Sequence, residues 1–216
     1  MRKKVMVIIG AGEGISKATA ELFGKQNYTI CLIARKKDKL EKITNELRDK
    51  NIDAHYFIAS VSDSDTIRDT FEQIWQLFPH IDILHFNVSK SKQVDIVSET
   101  SDSLTRDFKT NVASVMTCLQ LVLPDMEKIG EGTILLTGGG LALHPNYELG
   151  SLSIGKAGLR NMAQSLHDSL KSKNIYVGTV TVCGFVAEDS PKHSPKIIAE
   201  LFWKLHTERK DWEIIQ

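Results

Sequence analysis

The stretch Val5-Met6-Val7-Ile8-Ile9-Gly10-Ala11-Gly12-Glu13-Gly14-Ile15-Ser16 decides how this chain is read. Residues 5–9 form an apolar run with no alternation, the pattern of a parallel strand covered on both faces. Glycines follow at 10, 12 and 14, and Ala18, Ala20, Leu22 and Phe23 then give a helical apolar stripe. Strand, glycine turn and helix together bring backbone close to a phosphate. The glycines remove Cβ atoms, and the helix N-terminus offers N–H groups and the positive end of its dipole. The spacing is not that of the common dinucleotide fingerprint, which requires glycine where Ile15 stands.

Outward from that turn, composition limits the alternatives. The 216 residues are 42% hydrophobic and 25% charged, enough for one large core. Lys+Arg and Asp+Glu are 27 each, so no charge excess points to nucleic acid or an anionic membrane as partner. No apolar run reaches a membrane-spanning length, and residues 5–9 are too few for a signal-peptide core, so a cytoplasmic protein is expected. Cys31, Cys118 and Cys183 are odd in number and scattered, which predicts buried reduced thiols and no metal site.

The rest of the chain alternates steadily. Strands are expected at 29–34, 54–59, 82–86, 133–137 and 176–182, with a terminal strand at 212–215. Helices are expected at 38–50, from about 64 to 78, at 101–128 and at 151–173, with a short one around Ile197, Leu201 and Leu205. The longest is predicted to be continuous, with Phe108, Val112, Val115, Met116, Leu119 and Val122 on one stripe. Ser60 to Asp63 suits a helix N-cap. This order predicts a single α/β domain over 1–216, a doubly wound parallel sheet of six to seven strands with helices on both faces. Ligands bind such sheets at the carboxyl ends of the strands. Those ends here are 10–16, Arg35, Ser60 and Val61, Asn87 with Val88 and Ser89, 137–140, and 183–186.

With those residues in view, the chain resembles the short-chain dehydrogenase/reductase family, whose fold is Rossmann-like, over nearly its whole length. Gly10, Gly14 and the serine at 16 follow the family's glycine pattern with Ser16 at the third place. Asn87 keeps one residue of the family's tetrad after the fourth strand. Asn111 falls where the family carries its catalytic Asn, and Lys156 where it carries its catalytic Lys. The resemblance implies a nicotinamide dinucleotide bound by Gly10, Gly12, Glu13, Gly14, Ile15, Arg35, Ser60, Val61, Asn87, Val88, Ser89, Lys156 and Val186, the last through a backbone contact to the nicotinamide amide. It also implies Asn111 and Lys156 as catalytic residues, and a homodimer or homotetramer built on the two long helices.

The departures carry as much information. The family's Tyr stands four residues before its Lys, where this chain has Leu152, and its Ser falls near Gly139. The family's proton donor and its carbonyl-polarising hydroxyl are therefore both absent from their places. Tyr147, His144, His85 or water are the alternatives for proton delivery. The segment 187–194 that would cover a substrate is short.

The end of the second strand carries Arg35-Lys36 with no acid before Asp38, which favours NADP(H) over NAD(H), because Arg forks onto a 2′-phosphate. Glu13 argues against it by charge. The expected function is an NAD(P)(H)-dependent oxidoreductase with an atypical site, acting on a small carbonyl or alcohol. The alternative is a non-catalytic NADP(H)-binding sensor or oligomer partner. A methyltransferase, also compatible with G-x-G-x-G after a first strand, is disfavoured by Arg35 at the ribose position.

Overall fold

A computed structural model describes residues 3–216. Seven strands lie in one sheet: β1 (Lys4–Ile9), β2 (Tyr28–Ala34), β3 (Ala54–Ile58), β4 (Ile83–Phe86), β5 (Gly132–Thr137), β6 (Ile175–Thr181) and β7 (Glu213–Ile215). Every pairing is parallel, and the spatial order is β3-β2-β1-β4-β5-β6-β7. The order reverses between β1 and β4, which opens a crevice above their carboxyl ends.

Helices cover both faces because β1, β2, β4, β5 and β6 are apolar on both sides. On one face α1 (Ile15–Lys25), α2 (Lys37–Arg48) and α7 (Pro195–Glu208) bury Phe23, Leu40, Ile43 and Phe202 against Met6, Ile8, Ile30 and Leu32. On the other, α3 (Ser64–Leu77), α5 (Ser114–Ile129) and α6 (Gly150–Leu170) bury Phe71, Ile74, Leu119 and Leu159 against Val7, Ile9, Leu84 and Leu136. Asp63 caps α3, its Oδ1 accepting from the amides of Asp65 and Thr66 at 3.1 and 3.2 Å. No helix among the described residues is long and apolar enough to cross a membrane.

Three expectations need correction. The helix expected over 101–128 is not continuous: α4 (Ser101–Phe108) passes through a π turn at Lys109–Ala113 into α5. A π turn inserts a residue and shifts the phase of what precedes it. Phe108 is therefore turned off the expected stripe, 40% exposed beside Gly158 of α6, while Val112, Val115, Leu119 and Val122 remain buried. Cys183 is the third correction. Cys31 and Cys118 are buried, and burial raises both thiols, Cys118 to about 12, but Cys183 lies exposed just past β6.

Candidate active site

The glycine turn is held by the two strands beside β1's end. The amides of Gly10 and Ala11 both donate to Ile33 O, at 2.9 and 3.1 Å. Gly10 has φ +82°, and a Cβ there would stand 2.6 Å from the Asn87 carbonyl oxygen. Glycine is required at this position by the close approach of the loop after β4. Ser16 is buried in the third-glycine position, where it donates to Gly10 O (3.0 Å) and accepts from Asn87 Nδ2 (2.6 Å). One hydroxyl thus ties the turn, α1 and the β4 loop together. Gly12 and Gly14 are different: nothing lies within 4 Å of where a Cβ would stand on either. Helix α1 has no side-chain cap and no acid in its first turn, so no side chain takes up its leading N–H groups.

Glu13 is paired with lysines: its carboxylate meets Lys42 at 2.9 Å and Lys17 at 3.2 Å, and Lys17 also contacts Glu46. Lys42 first, and Lys17 with it, hold the Glu13 carboxyl below its usual value.

A cavity of about 360 Å³ continues from the turn across the ends of β2, β3 and β4. Gly10, Ala11, Ser60, Val61, Asn87, Val88 and Ser89 line it, as does Arg35. Lys36 lines it beside Arg35, and sequence reading did not assign Lys39, Ser62, Lys90 or Thr110, which line it too. Their signal was weak, because lysines after a strand read equally well as a solvated face. Among the described residues, Arg35, Lys36 and Lys39 enter no ion pair, so three cations stand uncompensated beside the Ser60 and Ser62 hydroxyls. Ser62 Oγ also meets Thr110 Oγ1 at 3.0 Å.

Asn111 and Lys156 stand just beyond this cavity. Asn111 lies in the π turn, where its Oδ1 accepts from the Lys90 amide (2.7 Å) and its Nδ2 donates to the Lys90 carbonyl (3.0 Å). Gly155 lets α6 come close: a Cβ there would stand 3.1 Å from Asn111 Cβ. Lys156 Nζ donates to Thr137 O at 2.8 Å, with Gly139 beside its stem. Burial lowers the Lys156 ammonium to about 8.

That lowered value makes a pH prediction. Between about 8 and the unfolded value of ~10.4, the unfolded chain holds a proton on Lys156 that the folded chain has released. Stability relative to Lys156→Met therefore rises with pH across that window and is flat below it. Urea unfolding of both proteins at pH 7 and pH 9.5 measures this. A difference that does not change with pH would mean the lysine is not desolvated.

Of the proposed proton donors, His85 is excluded. It is fully buried on the α7 face, 4.5 Å from the Phe202 ring centroid, with Nε2 on Thr137 Oγ1 at 3.1 Å. Burial drives it to about 3, so it stays neutral and enclosed. Tyr147 is 65% exposed and His144 is exposed, in the loop before α6. That loop is zipped to the one after β4: Val94 N donates to Glu148 O (2.9 Å) and Ile96 N to Tyr147 O (3.0 Å). Leu152 is half-buried one helical turn before Lys156. Beyond β6, Phe185 is 96% exposed and Val186 is also exposed, so this end of the crevice is open.

A family model described as short chain dehydrogenase matches residues 4–195. The chain belongs to the short-chain dehydrogenase family. Among curated family members, the 3-oxoacyl-(acyl-carrier-protein) reductase FabG of Thermotoga maritima is 25% identical over 193 residues, 89% of this chain and 78% of the relative. The very-long-chain 3-oxoacyl-CoA reductase of Mus musculus is 29% identical over 181 residues, 81% of this chain but only 57% of the relative. The L-sorbose reductase of Gluconobacter frateurii, solved with NADPH and L-sorbose, superposes with a TM-score of 0.90 at 21% identity, covering 100% of this chain and 95% of that one. A metagenomic short-chain oxidoreductase solved with NADP gives 0.88 at 20% identity, covering 99% and 96%. These structural likenesses are likenesses of short-chain dehydrogenase fold.

Proposed function

We propose that this short-chain dehydrogenase is an NADP(H)-dependent oxidoreductase that interconverts a small carbonyl and its alcohol, with a proton source other than a tyrosine four residues before Lys156. The observation that carries the cofactor half is the set of three uncompensated cations, Arg35, Lys36 and Lys39, around a cavity that also offers Ser60 and Ser62. A 2′-phosphate is the anion that such a set at the end of β2 accommodates, and Gly12, Gly14 and the uncapped start of α1 fit a pyrophosphate. Two structures of similar fold, the metagenomic oxidoreductase and the L-sorbose reductase, were solved with NADP and NADPH, which supports the reading. When bound, the nicotinamide supplies or accepts the hydride. Lys156 of α6, bonded to the end of β5, would hold the ribose, and Asn111 fixes the Lys90 backbone that forms the adjoining wall. Water reaches the open end past Phe185 and can serve as proton source. The single-domain organisation, cytoplasmic location and homodimeric or homotetrameric assembly expected from the sequence belong to the same proposal.

A second reading has its own support: Leu152 and Gly139 place no hydroxyl opposite Lys156, which suits a protein that binds NADP(H) without turning over a carbonyl. Calorimetry with NADPH and NADH, followed by NADPH oxidation against aldehydes, ketones and quinones, separates the two. The oxidoreductase reading expects NADPH to bind at least about tenfold tighter than NADH, a difference of ~1.4 kcal/mol, and at least one carbonyl to be reduced. Tight NADPH binding with no turnover leaves the second reading standing, and equal affinity for both cofactors removes the cofactor assignment.

Arg35→Ala provides a sharper check. Losing one charge-assisted bond of ~1.5–3 kcal/mol weakens NADPH binding by roughly 10- to 100-fold. NADH affinity, measured in the same titration, stays within about twofold. A parallel loss for both cofactors would show that Arg35 does not touch a 2′-phosphate.

A further inference from the structure

Asp107 is a charged side chain only 1% exposed, one turn before Asn111 of the π turn. Its Oδ2 accepts from Ser151 Oγ at 2.7 Å, its Oδ1 pairs with Lys90 Nζ at 2.7 Å, and Lys92 Nζ lies 3.7 Å from Oδ2. Lys92 in turn pairs with the nearly buried Glu99 at 2.8 Å and contacts Ser103. Burial alone would raise the Asp107 carboxyl, but Lys90 and Ser151 hold it below its usual value.

The partners occupy telling places. Lys90 belongs to the loop after β4 and lines the cavity, and its backbone is the group that Asn111 clamps from both sides. Ser151 is in the first turn of α6, the helix that carries Lys156. Helix segment 107–111 therefore grips the Lys90 side chain through Asp107 and the Lys90 backbone through Asn111. The same segment meets Ser62, beyond β3, through Thr110.

We propose that Asp107 is a positioning residue: its carboxylate braces the loop after β4 against the start of α6, fixing the spacing between the Asn111-clamped cavity wall and the helix bearing Lys156. A buried carboxylate with two lysines and a hydroxyl is costly to assemble and costly to break by halves, which suits a fixed spacing better than a simple packing contact. The ligand held between those walls is the NADP(H) of the reading above, so that part of the proposal rests on it.

Two measurements test the brace separately from the function. The first is hydrogen exchange on the ligand-free chain. The Lys90 amide is protected by Asn111, so its exchange reports on the wall directly. Asp107→Asn keeps an acceptor for Ser151 and loses the charge facing Lys90. The expected result is Lys90 amide exchange about tenfold faster, a loss of ~1.4 kcal/mol of local protection, with residues 150–153 and the core strands unchanged. In Asp107→Ala, the amides of 150–153 are released as well. Unchanged exchange at Lys90, or a uniform rise across β1, β4 and β5, overturns the proposal. The second measurement is NADPH affinity, expected to fall at least about tenfold in Asp107→Asn. NADPH binding that is tight in the wild type and equally tight in Asp107→Asn also overturns it. A wild-type chain that does not bind NADPH sinks the functional reading instead, and the exchange result then decides the brace on its own.

Discussion

Leu152→Tyr combined with Gly139→Ser is expected to raise NADPH-dependent carbonyl reduction by ~10²–10⁴-fold over the parent, the usual worth of a positioned general acid. The geometry for it is largely in place. Position 152 lies one helical turn before Lys156 on α6 and is half-buried, so a phenol there shares a face with the ammonium. Burial already lowers Lys156, which remains a cation at neutral pH and would stabilise a neighbouring phenolate. Gly139 has an extended backbone with φ −168°, which serine adopts without strain. Its added Cβ would stand 3.3 Å from Lys156 Cε, a tight contact against a flexible stem. Initial rates with an aldehyde panel, over pH 6 to 9, measure the gain. No increase at unchanged NADPH affinity would show that the nicotinamide end has drifted beyond repair by two side chains.

The second large effect is at the glycine turn, and it separates fold from ligand. Gly10→Ala places a Cβ 2.6 Å from the Asn87 carbonyl oxygen on a backbone with φ +82°. The left-handed conformation alone costs ~1–2 kcal/mol, and relieving the contact adds a similar amount. A loss of about 3 kcal/mol lowers the melting temperature of a chain this size by roughly 6–12 °C. NADPH binding falls with it, because Asn87 and Ser16 move. Gly12→Ala should behave in the opposite way. No protein atom lies within 4 Å of the new methyl, so the melting temperature stays within about 2 °C. NADPH affinity nevertheless drops, because the methyl enters the space offered to the phosphates. Scanning calorimetry and a NADPH titration on both variants give the comparison. Unimpaired binding in Gly12→Ala would mean that the space over the turn is not the phosphate site.

The parts of the fold legible from sequence were those written in long-range apolar pattern. The runs in β1 and β2 have little or no alternation because both faces are covered, and that implies a parallel sheet with helices on either side. Gly10, Asn87, Ser60 and Arg35 were legible as a group because a doubly wound sheet brings strand ends together. What escaped were features set by single tertiary contacts. Helical periodicity across 101–128 is blind to one extra residue, so the π turn was missed and Phe108 was placed inside. His85 read as a strand-end residue because alternation cannot reveal that Phe202 of α7 lies over it. Lys39 and Lys90 carried no local signal, and only the folded cavity wall brings them beside Arg35 and Lys36. Asp107 was not singled out, since nothing local announces that Lys90 and Ser151 converge on it.

The π turn at Lys109–Ala113 also makes this helix unusually sensitive to length. Deleting Lys109 or Thr110, ahead of Asn111, would restore uninterrupted α geometry and swing everything before it by about 100° relative to α5. Asp107 would leave Lys90 and Ser151 while Asn111 kept its own direction. A substitution in that segment removes the contacts of one residue, whereas a one-residue deletion ahead of Asn111 would rotate Asp107 away while Asn111 stays, separating the two grips on Lys90. Length, more than side-chain identity, is the property of this segment on which both walls of the crevice depend.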